Sequence, residues 1–340
     1  MSEGPLVVVD HLSRHFTLTE SRPGFWGSVT GLFSRATSVR RAVDDISFSL
    51  EAGEFVGYVG ENGAGKSTTI KMLTGILVPT SGTVRVGGLV PWESRRENSR
   101  QIGVVFGQRS QLWWDLPVRE SFDLLRSIFR VPEGRFRENL AELDDALELS
   151  PLLATPVRKL SLGQRMRCDL AAAFLHDPKI LFLDEPTIGL DLIAKDHVRS
   201  FLKRINQTRR TTIVLTTHDM DDIEALCERI VILDEGKIVY DGATESLKRR
   251  YVREKGVVVE FHGDPGVVTL PDLPTVRVEG EGAKRRFSVP VDSVGVATVI
   301  AAVAARFAVK DISIHEPKVG EVVKRIYDDP ASLTRPEPGP

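Results

Sequence analysis

Cysteine is nearly missing from this chain. Two occur in 340 residues, Cys168 and Cys227, too far apart for a disulfide framework or a metal-ligand spacing. That excludes the stapled folds of small secreted proteins and favours a reducing setting such as the cytosol. Aromatic residues make up only 7%, which offers no obvious stacking platform for single-stranded nucleic acid. An excess of one charge is lacking too: 45 Lys and Arg stand against 47 Asp and Glu, a formal −2. A nucleic-acid binder usually carries a basic excess, so none is expected as a partner. Long hydrophobic runs are absent. The most apolar stretch, Val294 to Ala305, is bounded by Asp292 and Arg306 and falls short of the ~20 residues a helix needs to cross a bilayer. The first residues lack the basic-then-apolar pattern of a secretory signal. The expectation is a soluble chain that reaches any membrane through a partner. What is present is 41% hydrophobic residues, ample for a core, in a length that suits two domains.

Short aliphatic strands alternate with helical patterns through the first two thirds. Leu6–Val9, Ile46–Leu50, Phe55–Val59, Thr83–Val86, Ile102–Phe106, Ile180–Leu183 and Thr212–Thr216 read as strands. Lys66–Leu77, Arg119–Leu149 with a break at Pro132 and Gly134, a segment from Ser161 to about Asp177, Asp196–Thr208 and Met220–Cys227 read as helices. A hairpin over Arg229–Leu233 and Lys237–Tyr240 follows. This alternation predicts an α/β core with a largely parallel sheet. Residues 19–41 shift to Gly, Ser, Arg and aromatics and read as an insertion. After about residue 248 the pattern becomes that of a small α+β module over residues 249–329, and the Pro-rich tail 330–340 is expected to be disordered.

Gly60-Glu61-Asn62-Gly63-Ala64-Gly65-Lys66-Ser67-Thr68 has the spacing G-x-x-x-x-G-K-[ST] between a strand and a helix. Glycines let backbone N–H groups turn onto an anion, and the helix N-terminus adds a positive field there. Lys66 would reach the β- and γ-phosphates, and Ser67 would offer its hydroxyl to Mg²⁺. The buried strand Ile180–Leu183 runs into Asp184 and Glu185. Asp184 is placed to hold Mg²⁺ through water, and Glu185 to act as general base on an attacking water. His218 follows the strand Thr212–Thr216 and is a candidate γ-phosphate sensor. Gln108 follows Ile102–Phe106 and is a candidate Mg²⁺ or water ligand. Leu160-Ser161-Leu162-Gly163-Gln164 opens a helix with Ser161 as N-cap, a second anion site without a lysine of its own. Trp113 and Trp114, with Asp115, sit in a loop and are read either as an interface, where Trp is enriched, or as core.

Together these pieces resemble the ATP-binding cassette (ABC) ATPases over residues 5 to 245 or thereabouts. In that resemblance Gly60–Thr68 is Walker A, Gln108 the Q-loop, Leu160–Gln164 the signature, Ile180–Glu185 Walker B, Gly189-Leu190-Asp191 the D-loop and His218 the switch histidine. The resemblance implies a P-loop NTPase fold with a helical subdomain near residues 110–175. It also implies a head-to-tail dimer, in which Ser161, Leu162, Gly163, Gln164 and Asp191 act in trans on ATP held by the other copy. The signature's third position is Leu162, where glycine is usual. Phe16 aligns best as the adenine-stacking residue, with Phe25, Trp26 and Phe33 of the insertion as rivals. The Gln108–Pro117 segment and the ending Asp311–Pro317 resemble bacterial ABC-2-type exporter ATPases. That implies an ATP-hydrolysing motor on the cytoplasmic face of the inner membrane, held there by separate permease subunits that Trp113, Trp114 and Asp115 would contact. An importer ATPase and a soluble ABC ATPase without a transporter are the alternatives.

Overall fold

Phe55, Val56, Gly57, Tyr58 and Val59 are all buried, and Ile180 to Leu183 likewise. Strands buried on both faces belong in a parallel sheet covered on both sides, and that is what forms. The computed structural model describes residues 4–19, 37–107, 110–251, 254–290, 293–315 and 317–328. Contacts divide the chain into two units, Met1–Asp241 and Gly242–Pro340.

The first unit holds two sheets. β1 (Val7–Thr19), β2 (Thr37–Leu50) and β4 (Ser81–Val86) form an antiparallel sheet in the order β2-β1-β4. The second sheet contains β3 (Phe55–Gly60), β5 (Ile102–Phe106), β6 (Ile180–Asp184), β7 (Thr212–Thr216), β8 (Arg229–Asp234) and β9 (Lys237–Ala243), in the order β5-β6-β7-β3-β8-β9. Its pairs from β5 through β8 are parallel. One core joins the two sheets: Val7, Leu12, Ile46 and Val84 pack with Tyr58, Ile70, Ile180 and Phe182.

Helices α1 (Lys66–Leu73) and α2 (Arg95–Gln101) flank the sheets. α3 (Val118–Phe129) buries Val118, Phe122 and Leu125, and α4 (Glu133–Leu147) buries Phe136, Leu140, Leu143 and Leu147, each at helical spacing. With α5 (Leu162–Phe174) they occupy residues 118–174. α6 (Leu192–Arg209) and α7 (Met220–Leu226) complete the unit.

The second unit contains α8 (Thr244–Tyr251), β10 (Glu254–Phe261), β11 (Arg277–Glu279), β12 (Lys284–Pro290), α9 (Val296–Ala304), β13 (Val309–His315) and α10 (Val319–Asp328). Its antiparallel sheet runs β11-β12-β10-β13. Val257, Val259, Phe287, Val299 and Val303 form its core.

Several boundaries differ from the expectation. The unit boundary falls after Asp241 rather than at 248, because α8 buries Leu247 and Tyr251 and contacts α10. The insertion is shorter than 19–41: β1 continues to Thr19, β2 starts at Thr37, and these two residues pair. α1 stops at Leu73 instead of Leu77. α2 escaped notice because its one buried residue is polar, Asn98. The middle of the insertion, with Phe25, Trp26 and Phe33, and the tail 330–340 lie outside the described residues.

Phe182 is fully buried in β6 between the two layers of this core. Phe182→Ala should lower the stability of the first unit by about 3–5 kcal/mol, measured by guanidinium unfolding of the full chain.

Candidate functional site

Ligands of open parallel sheets bind beyond the C-terminal ends of the strands, and here those ends carry the chemical residues. β3 runs out at Gly60, and α1 begins six residues on, at Lys66. Gly65 caps α1 with φ 110°, and a Cβ there would stand 2.4 Å from the Ala42 carbonyl oxygen. No other residue lets β2 pass so close to the loop. The turn between β8 and β9 supports the same loop from another side, with the Gly236 N–H donating to the Ala64 carbonyl at 3.1 Å.

Lys66 is buried, and its ammonium donates to the Gly60 carbonyl at 2.6 Å and to that of Glu61 at 3.1 Å. Burial lowers its pKa, against the pull of Glu185 and Asp184. Asp184 ends β6 opposite Thr216 of β7. The Thr216 hydroxyl donates to Asp184 Oδ1 at 2.5 Å, and the Ser67 hydroxyl to Oδ2 at 3.2 Å. Two hydroxyls from separate elements thus hold the carboxylate at the mouth of the phosphate loop. Glu185 takes a left-handed backbone, φ 56°, which costs a non-glycine residue about 1–2 kcal/mol. Its N–H donates to the Thr216 carbonyl at 2.9 Å, and its Oε2 lies 2.8 Å from His218 Nδ1.

A cavity of ≈ 820 Å³ opens over these groups, lined among others by Phe16, Arg40, Asn62, Lys66, Ser67 and Glu185. Gly63, Gly65, Thr68 and Asp184 line it too. Ser67 and Asp184 are hard oxygen donors that meet at one point. That set fits Mg²⁺, which takes one or two protein oxygens together with water and phosphate rather than a full protein cage. Phe16 stands on β1 at the cavity wall, with the Arg14 guanidinium 4.8 Å over its ring. Arg40, Thr17 and Lys71 also line the cavity, and no sequence motif marks them. Arg40 pairs with Phe16 across the sheet, and its guanidinium lies 3.2 Å from the position a Gly63 Cβ would take. By composition it falls in the insertion, although the β-branched and alternating run Thr37–Val43 carries a strand signal.

The remaining candidates gather elsewhere. Ser161 caps α5, accepting the Gln164 N–H at 3.2 Å while Gln164 Oε1 accepts the Ser161 N–H at 3.0 Å. Leu162 packs onto Gly189, where a Cβ would come within 2.6 Å of Leu162 Cδ2. A Cβ on Gly163 would meet only ordinary contacts, 3.5 Å to Ala194, so nothing among the described residues demands glycine there. Asp191 caps α6 by accepting the Ala194 N–H at 2.8 Å. None of these residues lines the cavity. Trp113 is 39% and Trp114 53% exposed, which removes the core reading of the pair. Asp115 pairs with Arg158 at 3.0 Å. A groove of ≈ 700 Å³ lies nearby, lined by Pro117, Arg119, Glu120, Arg137, Leu140 and Asp144 among others. Gln108 lies outside the described residues.

The chain matches the family model described as ABC transporter over residues 43–188. It is 36% identical over 259 residues to the Nod factor export ATP-binding protein I of Ralstonia nicotianae, spanning 75% of this chain and 78% of that protein. It is 34% identical over 220 residues to the methionine import ATP-binding protein MetN of Latilactobacillus sakei, spanning 64% of each. Among solved structures it resembles a dimeric ATP-binding cassette in a post-hydrolysis state with ADP and Pi. That match has a TM-score of 0.58 at 25% identity and covers 70% of this chain and 98% of the other.

Gly189 has φ 70° and faces Leu162. Gly189→Ala should therefore destabilise the chain by about 1–2 kcal/mol from backbone strain alone, with a further loss from the clash. Adding Leu162→Ala should recover the clash part only, read as thermal unfolding midpoints of the two variants.

Proposed function

This chain belongs to the ABC transporter family of ATP-binding proteins, and on that premise we propose that it is the ATP-hydrolysing motor of an exporter. The observation that carries the reading is the convergence of Lys66, Ser67, Asp184 and Glu185 on one cavity, with His218 bound to Glu185 behind them. ATP enters with its adenine against Phe16 and its phosphates in the loop Gly60–Thr68. Arg40 adds a positive charge at the rim. Lys66 already gives two of its ammonium protons to loop carbonyls, which aims the third at the β- and γ-phosphates.

Ser67 and Asp184 would hold Mg²⁺, which supplies charge neutralisation on the phosphates when bound. Gln108 is assigned to the same cation or its water shell. Glu185 accepts the proton of the attacking water. His218, at hydrogen-bond distance from that carboxylate, orients it and stands where the γ-phosphate departs. Ser161, Leu162, Gly163, Gln164 and Asp191 complete the site from a second copy. Support comes from Gly163, where nothing among the described residues of its own chain requires a missing side chain, and from the dimeric state of the similar solved cassette.

The permease side of the motor is assigned to Trp113, Trp114 and Asp115 beside the groove at Pro117 and Leu140. No helix among the described residues is long and apolar enough to cross a membrane, and the membrane passage is assigned to separate permease subunits. The chain then sits on the cytoplasmic face of the membrane. Export is supported by the Nod factor export relative and by the separate α+β unit after Asp241. Import is the second reading, favoured by the methionine import relative. Reconstitution with the permeases in vesicles, with ATP supplied on one side, decides between them by the direction in which cargo moves.

Glu185→Gln should leave ATP binding intact, lower kcat about 10²-fold or more and trap an ATP-dependent dimer visible by light scattering. Unchanged turnover would refute the assignment of Glu185 as base. Trp113→Ala combined with Trp114→Ala should leave the ATPase rate of the isolated chain unchanged while abolishing co-purification with permease. Retained co-purification would remove the pair from that interface.

A further inference from the structure

Outside the cavity, the first unit buries an acid in the middle of a helix. Asp169 lies in α5, two turns beyond Ser161, and is 4% exposed among Cys168, Leu170 and Ala171. Burial pushes its carboxyl up to about 6, against the Ser110 and Gln111 hydrogen bonds and the Arg165 charge. Helix packing needs only a small apolar side chain at such a position. An acid there is costly unless its oxygens are fully engaged.

One of them, Oδ1, is engaged twice by the segment that follows β5. Asp169 Oδ1 accepts the Ser110 hydroxyl at 2.9 Å and the Gln111 N–H at 3.0 Å. The Gln111 side-chain amide donates to the Asp169 backbone carbonyl at 2.9 Å, and the Ser110 hydroxyl oxygen accepts the Leu112 N–H at 3.1 Å. Residues farther along stay on the same support. The Arg158 N–H donates to the Trp114 carbonyl at 3.0 Å, and that of Val157 to the Leu116 carbonyl at 3.1 Å. The Arg165 guanidinium lies 5.8 Å over the Trp114 ring. Residues 110–116 are thus fastened along their length to α5 and the turn that leads into it. Upstream, the chain belongs to the parallel sheet, where the Gly107 N–H donates to the Asp184 carbonyl at 2.7 Å.

We propose that Asp169 is a positioning residue for ATP hydrolysis, whose carboxylate locks the segment after β5 to the helix that begins at Ser161. The segment and α5 are thereby held together as one body. Asp169 does not line the cavity and touches no reacting atom. It sets where Ser161 and Gly163 stand when a second copy closes. This rests on the reading that those residues act in trans.

The test uses the full chain with three readouts: affinity for a fluorescent ATP analogue, kcat, and the ATP concentration that half-dimerises the Glu185→Gln background. Asp169→Ala should leave nucleotide affinity within twofold. It should lower kcat at least tenfold and raise the half-dimerising ATP concentration at least tenfold. Asp169→Asn keeps the oxygen on which both hydrogen bonds land, and should restore both quantities to within threefold. Ser110→Ala, which removes one bond only, should fall between. Two results would overturn the assignment: Asp169→Ala with kcat and dimerisation unchanged, or loss of nucleotide affinity in the Ala and Asn variants alike, which marks a role in folding only. If Glu185→Gln alone forms no ATP-dependent dimer, the trans reading fails first, and the inference fails with it.

Discussion

The Asp184 carboxylate, gripped by one hydroxyl on each side, is the interaction on which the rest of the site depends. Thr216 reaches it from the neighbouring strand, and Ser67 from the first turn of α1. Both contacts follow from strand register: the parallel pairing of β6 with β7 sets Asp184 opposite Thr216. A slip of one residue would turn Asp184 to the other face of the sheet. The same register lets the Glu185 N–H reach the Thr216 carbonyl, and the left-handed turn at Glu185 then brings its carboxylate to His218. One pairing therefore positions Asp184, Glu185 and His218 together.

The phosphate loop is shaped from outside as much as by its own residues. β2 passes over Gly65 at a distance no side chain tolerates, and the hairpin turn at Gly236 supports Ala64. The antiparallel sheet, whose strands are legible in the sequence only in part, thus forms one wall of the cavity. It brings Phe16 and Arg40 to the cavity wall as a cross-strand pair. Ser161 and Asp191, by contrast, spend their side-chain oxygens on capping their own helices. In the proposed function the same residues complete the ATP site of a second copy.

Motifs that act through backbone and nearest neighbours were legible. Strand, loop and helix are contiguous around Gly60–Thr68, so spacing alone carries the geometry. Ser161 as helix cap and Asp184 as strand end are equally local statements. Arg40 was not legible, because its neighbours in sequence read as an irregular insertion and its partner Phe16 lies 24 positions upstream on another strand. Asp169 was not legible either: an acid inside an amphipathic helix looks solvated until the segment that covers it is known. The Trp113–Trp114 pair stayed ambiguous between core and surface until exposure decided it.

The sequence by itself determined the α/β alternation, the phosphate loop, the acids that end β6 and the helix opened by Ser161, because each depends on residues within a few positions of one another. Tertiary structure decided the order of the strands, the extent of β2, the boundary after Asp241, the wall formed by Phe16 and Arg40, and the tie between Ser110 and Asp169. Those features join residues tens of positions apart, and their energies come from burial and from hydrogen bonds that exist only once the layers have packed.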